Sequence, residues 1–169
     1  ARLRSARRRR LSSFDRTGGN YDWIEIAGGA TARIADIRGA GCIRHIWCTM
    51  FPPSGEEDYL RKVVIRMFWD GEKHPSVEVP IGDFFGIGHA ICKHFWSLPL
   101  TMSPDRGRGF NCFFAMPFAD GAIIDIQNDC ETQLNFYYYI DYEEYDRLEP
   151  GLGRFHAQWR REAATDTWG

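Results

Sequence analysis

Residues 12–23 read SSFDRTGGNYDW, a polar loop rich in turn formers that ends on an aromatic side chain. Asp15 and Asp22 can accept hydrogen bonds from hydroxyl groups. Arg16 and Asn20 can donate them, and Trp23 offers a flat apolar face. That set suits a sugar, because aromatic rings cover the C–H faces while the polar groups take the hydroxyls. Gly18-Gly19 lets the backbone fold tightly. The stretch lacks the GxxxxGK[ST] form of a phosphate loop. A loop bonded only to itself is the competing expectation, since Asp, Asn, Ser and Thr side chains serve nearby backbone well.

Two other stretches add candidates. Residues 154–162, RFHAQWRRE, place His156 and Gln158 beside Trp and Arg side chains. Residues 68–86, FWDGEKHPSVEVPIGDFFG, are the stretch around which the rest of the chain is organised. Asp70-Gly71 is a turn signal. Val77, Val79 and Ile81 then alternate with Glu78 and Pro80, the period of a strand with one buried face. Gly82-Asp83 breaks the strand, so a hairpin exit is expected to set Asp83 beside Phe84 and Phe85. Asp83 is the last candidate for sugar contact.

The remaining chemistry-bearing residues read as structural. His45 has no close partner in sequence. His89 and His94 are five apart, fit no single helical face and have few carboxylates nearby, so no metal is expected. Cys42, Cys48, Cys92, Cys112 and Cys130 show no CxxC spacing and read as buried free thiols. That usage fits a reducing compartment, and a cytoplasmic location is the expectation. No cofactor is expected.

A chain of 169 residues fits one domain, and 44% hydrophobic residues suffice for its core. No run approaches a transmembrane helix, and the N-terminus has no signal-peptide apolar core, so no membrane association is expected. Six of the first ten residues are Arg. Setting them aside leaves 15 basic against 23 acidic residues, a balance of −8. Residues 1–11 are therefore expected to form a basic arm or short helix lying on an acidic neighbour. Nucleic acid is not an expected partner, because no other basic cluster with interleaved aromatics follows.

Short apolar–polar alternations punctuated by turns recur along the body. They predict strands near 23–26, 32–37, 42–50, 59–69, 77–81, 110–116, 122–128 and 132–142, with a possible helix only near 86–97. Within 42–50, Ile43, His45, Trp47 and Thr49 should share one face. Within 132–142, Phe136, Tyr138 and Ile140 should oppose Tyr137, Tyr139 and Asp141. The pattern indicates an all-β sandwich, and the uneven connections favour a jelly roll. The expected layout is an arm at 1–11, a jelly-roll domain at 12–162 and a tail at 163–169.

Five stretches in order carry a resemblance: SSFDRTGGNYDW at 12–23, IRGAGCIRHIW at 37–47, FWDGEKHPSVEVPIGDFFG at 68–86, MPF at 116–118 and RFHAQWRRE at 154–162. Together they resemble the domain of unknown function 2961 group, which includes glycoside hydrolase family 172. The resemblance covers residues 12–162 and looks like the first of the family's two jelly rolls. It implies α-D-fructofuranoside or α-D-arabinofuranoside substrates, a retaining mechanism with two glutamates, and trimers or dimers of trimers. The motifs present match neither glutamate, so no catalytic residue is carried over and the chain alone is expected to be inactive. By position in the motifs, Asp15, Arg16, Asn20, Asp22, Trp23, His156, Gln158 and Asp83 are the expected sugar contacts. A non-catalytic carbohydrate-binding module or a capsid-like assembly jelly roll is the alternative.

Overall fold

Strands with a single apolar face need a second layer to cover them, and the chain supplies two facing sheets. The structure is a computed structural model that describes residues 6–51 and 56–162. Its strands are β1 (Arg7–Ser12), β2 (Ile24–Ile26), β3 (Thr31–Arg38), β4 (Gly41–Phe51), β5 (Val63–Trp69), β6 (Val77–Pro80) and β7 (Phe95–Trp96). They continue with β8 (Leu100–Met102), β9 (Phe110–Cys112), β10 (Met116–Phe118), β11 (Gly121–Asn128), β12 (Leu134–Glu144) and β13 (Ala157–Gln158). Two one-turn helices, α1 (Tyr59–Lys62) and α2 (Ile81–Phe84), flank the β5–β6 hairpin. The larger sheet runs β1-β12-β4-β9-β8-β7, with β10 also on β4 and β2 on β12. The smaller runs β13-β6-β5-β11-β3. The fold is the expected jelly-roll β-sandwich. Among the described residues no helix is long and apolar enough to cross a membrane.

The core follows from period two. In β5, Val63, Ile65, Met67 and Trp69 are buried while Val64, Arg66 and Phe68 point outward. In β11, Ala122, Ile124, Ile126 and Asn128 face the same interior. Asn128 is polar and buried, but its amide serves the carbonyls of Ile26, Ala27 and Thr132 and accepts the Cys130 amide. A buried amide so satisfied pins the β2–β3 turn to β11 without an orphaned group.

The expected division of β12 holds: Phe136 and Ile140 are buried, with Tyr137, Tyr139 and Asp141 on the outer face. The division of β4 does not. His45 pairs with Asp141 and Ile43 with Tyr142, so Arg44 is an extra, bulged residue. The bulge turns Ile43 into the core, where it is fully buried, while His45, Trp47 and Thr49 stay outside. Alternation alone carries no sign of such a one-residue insertion.

Other expectations need correction. The helix alternative for the basic run fails where it is described: residues 7–12 are β1, an edge strand laid antiparallel on β12. Arg9 bonds Glu144 at 3.1 Å and Arg10 bonds Asp141 at 2.6 Å, so the basic run is held as a strand by acids of the same chain. Residues 1–5 and the expected tail at 163–169 lie outside the described residues. The strand expected from 59 begins at Val63, after the α1 turn. The aromatic strand expected over 110–116 is two strands, β9 and β10. The segment 86–97 holds a three-residue 3₁₀ turn and β7 instead of a helix.

The stretch after β5 fastens the last part of the described chain. Asp70 and Gly71 both have positive φ, 54° and 79°, and the Glu72 amide closes the turn on the Trp69 carbonyl at 3.0 Å. Trp69 is fully buried, and its indole N–H donates to the Phe155 carbonyl at 2.7 Å. One Asp70 oxygen accepts the amides of Ala119, Asp120 and Gly121; the other accepts Arg154 Nε at 2.5 Å. Chain 154–155 is thereby set down so that β13 can pair in parallel with β6.

Asp70→Ala should strand three amides and one guanidinium. A lost partner of this kind costs roughly 1–3 kcal/mol, so a destabilisation of about 2–4 kcal/mol is expected in urea unfolding, against near-neutral behaviour for Asp120→Ala. Burial raises the Asp70 carboxyl, but bonds from the Asp120 amide, Arg154 and the Ala119 and Gly121 amides outweigh it and lower it overall. Its contribution is complete above the ordinary aspartate value of about 3.9 and lost as pH falls through the lower folded value. Asp70→Asn should therefore flatten the acid limb of the stability curve.

Candidate functional site

The loop between β1 and β2 is built by its own carboxylates. Asp15 Oδ1 accepts the Thr17 amide at 2.8 Å and the Thr17 hydroxyl at 2.7 Å; Oδ2 accepts the Tyr21 amide at 3.2 Å. The Thr17 hydroxyl, then the Thr17 and Tyr21 amides, lower the Asp15 carboxyl. Asp22 Oδ1 accepts the Asp15 amide at 2.7 Å. Ser13 Oγ donates to the Asp22 carbonyl at 2.7 Å and accepts the Tyr138 amide at 3.0 Å, which ties both ends of the loop to β12. Gly19 is required here, since a Cβ at that position would lie 2.8 Å from Asp15 Oδ2. Asn20 takes the left-handed conformation, φ 63°, which Asn tolerates better than most residues.

With Asp15 and Asp22 bonded to the loop backbone, donors and rings line its exposed side. Arg16 and Asn20 are exposed, and the Arg16 guanidinium lies over the Phe14 ring at 5.9 Å. Tyr21, two-thirds exposed, leans on Trp23 with ring centres 5.1 Å apart. Trp23 in turn meets Tyr137 at 5.7 Å, and Tyr137 meets Phe51 at 6.3 Å. The result is a row of rings along one edge of the larger sheet's outer face, flanked by a guanidinium and an amide. Rings and donors so placed have the chemistry to cover an apolar C–H face and donate to hydroxyls.

His156, Gln158 and Asp83 lie elsewhere. Gln158 sits on β13 and donates to the Pro75 carbonyl at 3.2 Å. Asp83 is not free at a hairpin exit: it belongs to α2 and is ion-paired with Arg61, while Phe84 and Phe85 beside it turn into the core. Arg61 also lies over the Trp159 ring at 5.5 Å. Gln158, Trp159, Arg61, Arg66 and Glu78 border a cleft of about 900 Å³ along the β6 edge. The expected contacts thus fall into two groups: Asp15, Arg16, Asn20, Asp22 and Trp23 on the loop, and Gln158 with Asp83, through Arg61, at the cleft. His156 is exposed on the segment leading into β13.

Sequence reasoning missed Tyr21, Tyr137, Arg61 and Trp159. The alternation of β12 does put Tyr137 outward. Nothing local marks Arg61, whose neighbours Asp83 and Trp159 come from distant parts of the chain. Two carboxylates 5–5.5 Å apart are the signature of a retaining glycosidase. At the cleft, Glu78 holds Arg66 at 2.6 Å and Asp83 holds Arg61, so both are engaged in ion pairs. Among the described residues no group of three or more His, Cys, Asp or Glu side chains could hold a metal.

If Asp15 shapes the loop from within, Asp15→Ala should raise amide exchange across residues 17–22 by about tenfold or more while leaving β5 and β11 protected. Hydrogen exchange read by NMR checks this. Protection unchanged in the loop would mean that its fold does not depend on the carboxylate.

A family model, the GH172 first beta-sandwich domain, matches residues 4–159. No curated protein matches the chain. The match spans both sheets, the β1–β2 loop and the β13 pairing, and it agrees with the five ordered stretches in the sequence. The chain belongs to glycoside hydrolase family 172 and carries that family's first β-sandwich domain.

Proposed function

We propose that this domain supplies a carbohydrate-binding wall for a furanoside-acting glycoside hydrolase, and that the β1–β2 loop is the contact surface. One observation carries the reading. The loop spends both of its carboxylates on its own backbone, and so holds Arg16, Asn20, Tyr21 and Trp23 outward in a fixed arrangement. A surface pre-ordered in this way loses little entropy when a ligand lands on it. Asp15 and Asp22 then act as positioning residues, in place of the direct sugar contacts expected from their types. An α-D-fructofuranoside or α-D-arabinofuranoside is the ligand the family resemblance implies. The acid and nucleophile lie outside the residues assigned here, so the chain alone binds without turnover.

A second reading places the sugar in the β6-edge cleft, where Trp159 and Gln158 line a larger concavity. Calorimetric titration with methyl fructofuranoside and methyl arabinofuranoside separates the two. Loss of a charged hydrogen bond is worth roughly 1.5–3 kcal/mol, so Arg16→Ala should weaken binding about tenfold or more. Trp23→Ala should weaken it comparably, with the far-ultraviolet spectrum and unfolding midpoint showing that the fold is kept. Trp159→Ala should leave it unchanged. The reverse pattern would move the site to the cleft, and no binding by the wild type would favour a non-catalytic assembly module.

Self-association belongs to the same proposal, with a trimer as the state the resemblance implies. Ile91, Trp96 and Leu98 are exposed around β7, the edge strand of the larger sheet, and Leu98 is 97% exposed. Apolar groups gathered at an open edge favour a partner. Sedimentation should show association at micromolar concentration that Leu98→Lys with Trp96→Lys reduces. A monomer throughout would contradict it. A cytoplasmic location remains part of this proposal.

A further inference from the structure

On the outer face of the larger sheet, beyond the row of rings, β1 and β4 border a groove of about 350 Å³ over β12. Arg8, Arg9 and Arg10 of β1 and Arg44 of the β4 bulge border it; Arg8 and Arg10 share one face of β1, while Arg9 projects from the other and pairs with Glu144. Among the described residues, the carboxylates that border the groove are Asp141 and Glu143. Both are committed. Asp141 holds Arg10 through both oxygens, at 2.6 and 2.9 Å, and His45 Nδ1 at 3.1 Å. Glu143 is buried, meets Arg44 Nε at 3.5 Å and accepts the Tyr145 hydroxyl at 2.6 Å.

His45 lies on the same face and borders the groove. Asn111 Nδ2 donates to the carbonyls of Thr101 and Gly109, at 3.2 and 3.3 Å, which turns its Oδ1 to His45 Nε2 at 3.1 Å. Both ring nitrogens of His45 therefore face acceptor oxygens. Its face stacks on Phe113 with ring centres 4.6 Å apart and planes 7° from parallel. The groove thus sets the guanidinium groups of Arg8, Arg10 and Arg44 against the carboxylates of Asp141 and Glu143, within a protein whose body past residue 10 balances at −8. Local positive charge in an acidic body focuses anions on one place.

We propose that this groove binds an oxyanion, a carboxylate or phosphate monoester carried on a sugar, with Arg8 as its principal donor. Arg8 projects beside Arg10 on the same face of β1, and among the described residues no side chain is bonded to its guanidinium. Its planar fork matches two oxygens of either group. Arg44 supports it from the opposite wall, where the bulge has turned it outward. Arginines on an edge strand also discourage pairing with another sheet, but that role needs neither a groove nor the His45 cluster. The site is separate from the loop and does not depend on the sugar reading given to it.

The test is titration of the protein, followed by calorimetry and by NMR, with inorganic phosphate, glucuronate, glucose 6-phosphate and glucose. The charged three should bind and shift the Arg8, Arg44 and His45 resonances, while glucose should not. The arms separate a carboxylate from a phosphate as the preferred group. Arg8→Ala should weaken anion binding about tenfold, and Arg8→Glu should abolish it. Arg33→Ala removes the same charge from the opposite sheet and should leave affinity unchanged. Equal weakening by Arg8→Ala and Arg33→Ala would reduce the effect to net charge and overturn the site. So would unchanged binding in Arg8→Glu, or no binding of any charged ligand by the wild type.

Discussion

The hydrogen bond from the buried Trp69 indole to the Phe155 carbonyl, with Asp70 beside it, is the constraint on which the rest of the arrangement turns. Trp69 ends the central strand of the smaller sheet and fills the core, so its N–H must find a partner inside the protein. It finds one on a segment 86 residues further along the chain. Asp70 then closes the β10–β11 turn through three amides and clamps Arg154 in the same step. One residue pair thereby joins a hairpin, a turn on the neighbouring strand and the segment leading into β13. Parallel pairing of β13 on β6 follows, and with it the wall of the cleft that carries Gln158 and Trp159.

The other sheet solves a different problem. Its outer face carries rings and charges, so it must hold a defined surface without a second layer to press on it. Hydrogen bonds and ring contacts do this instead. Asp15 and Asp22 shape the β1–β2 loop, and Ser13 fastens that loop to β12. Trp47 stacks on Tyr139 at 4.8 Å, and Arg10 lies over the same Tyr139 ring at 4.7 Å. The Arg-rich strand is part of this order: its charge is opposed strand to strand by Asp141 and Glu144, which is why an apparently detached basic run becomes an edge of the sheet. Exposed ion pairs of this kind are individually weak. Here they act with the backbone ladder of six paired residues along β1 and β12.

Much of the fold was legible because alternation with period two is a direct print of a half-buried strand. β5, β11 and β12 show it plainly, and their buried residues are those the pattern indicates. The bulge at Arg44 was not legible, since an extra residue leaves the composition of a strand unchanged and alters only its register. The α1 turn was hidden inside an apolar run that reads equally well as strand. At the site, the loop was legible as a cluster of polar and aromatic types, but the destination of each side chain was not. Asp15 and Asp22 have the chemistry to meet a ligand, and their types did not show that both also bond the loop's own backbone, as short acidic side chains in tight loops readily do. Asp83 was claimed by Arg61, a residue 22 positions earlier that no local pattern singles out.

The central claim is that this domain offers sugar a loop already folded to receive it. A crystal structure of the protein with a fructofuranoside or arabinofuranoside tests that most directly. The account predicts the furanose ring against Trp23 and Tyr21, hydroxyls bonded to Arg16 and Asn20, and Asp15 still holding the Thr17 and Tyr21 amides. A sugar bound elsewhere, or a loop that has released those amides to turn its carboxylates onto the ligand, would contradict it.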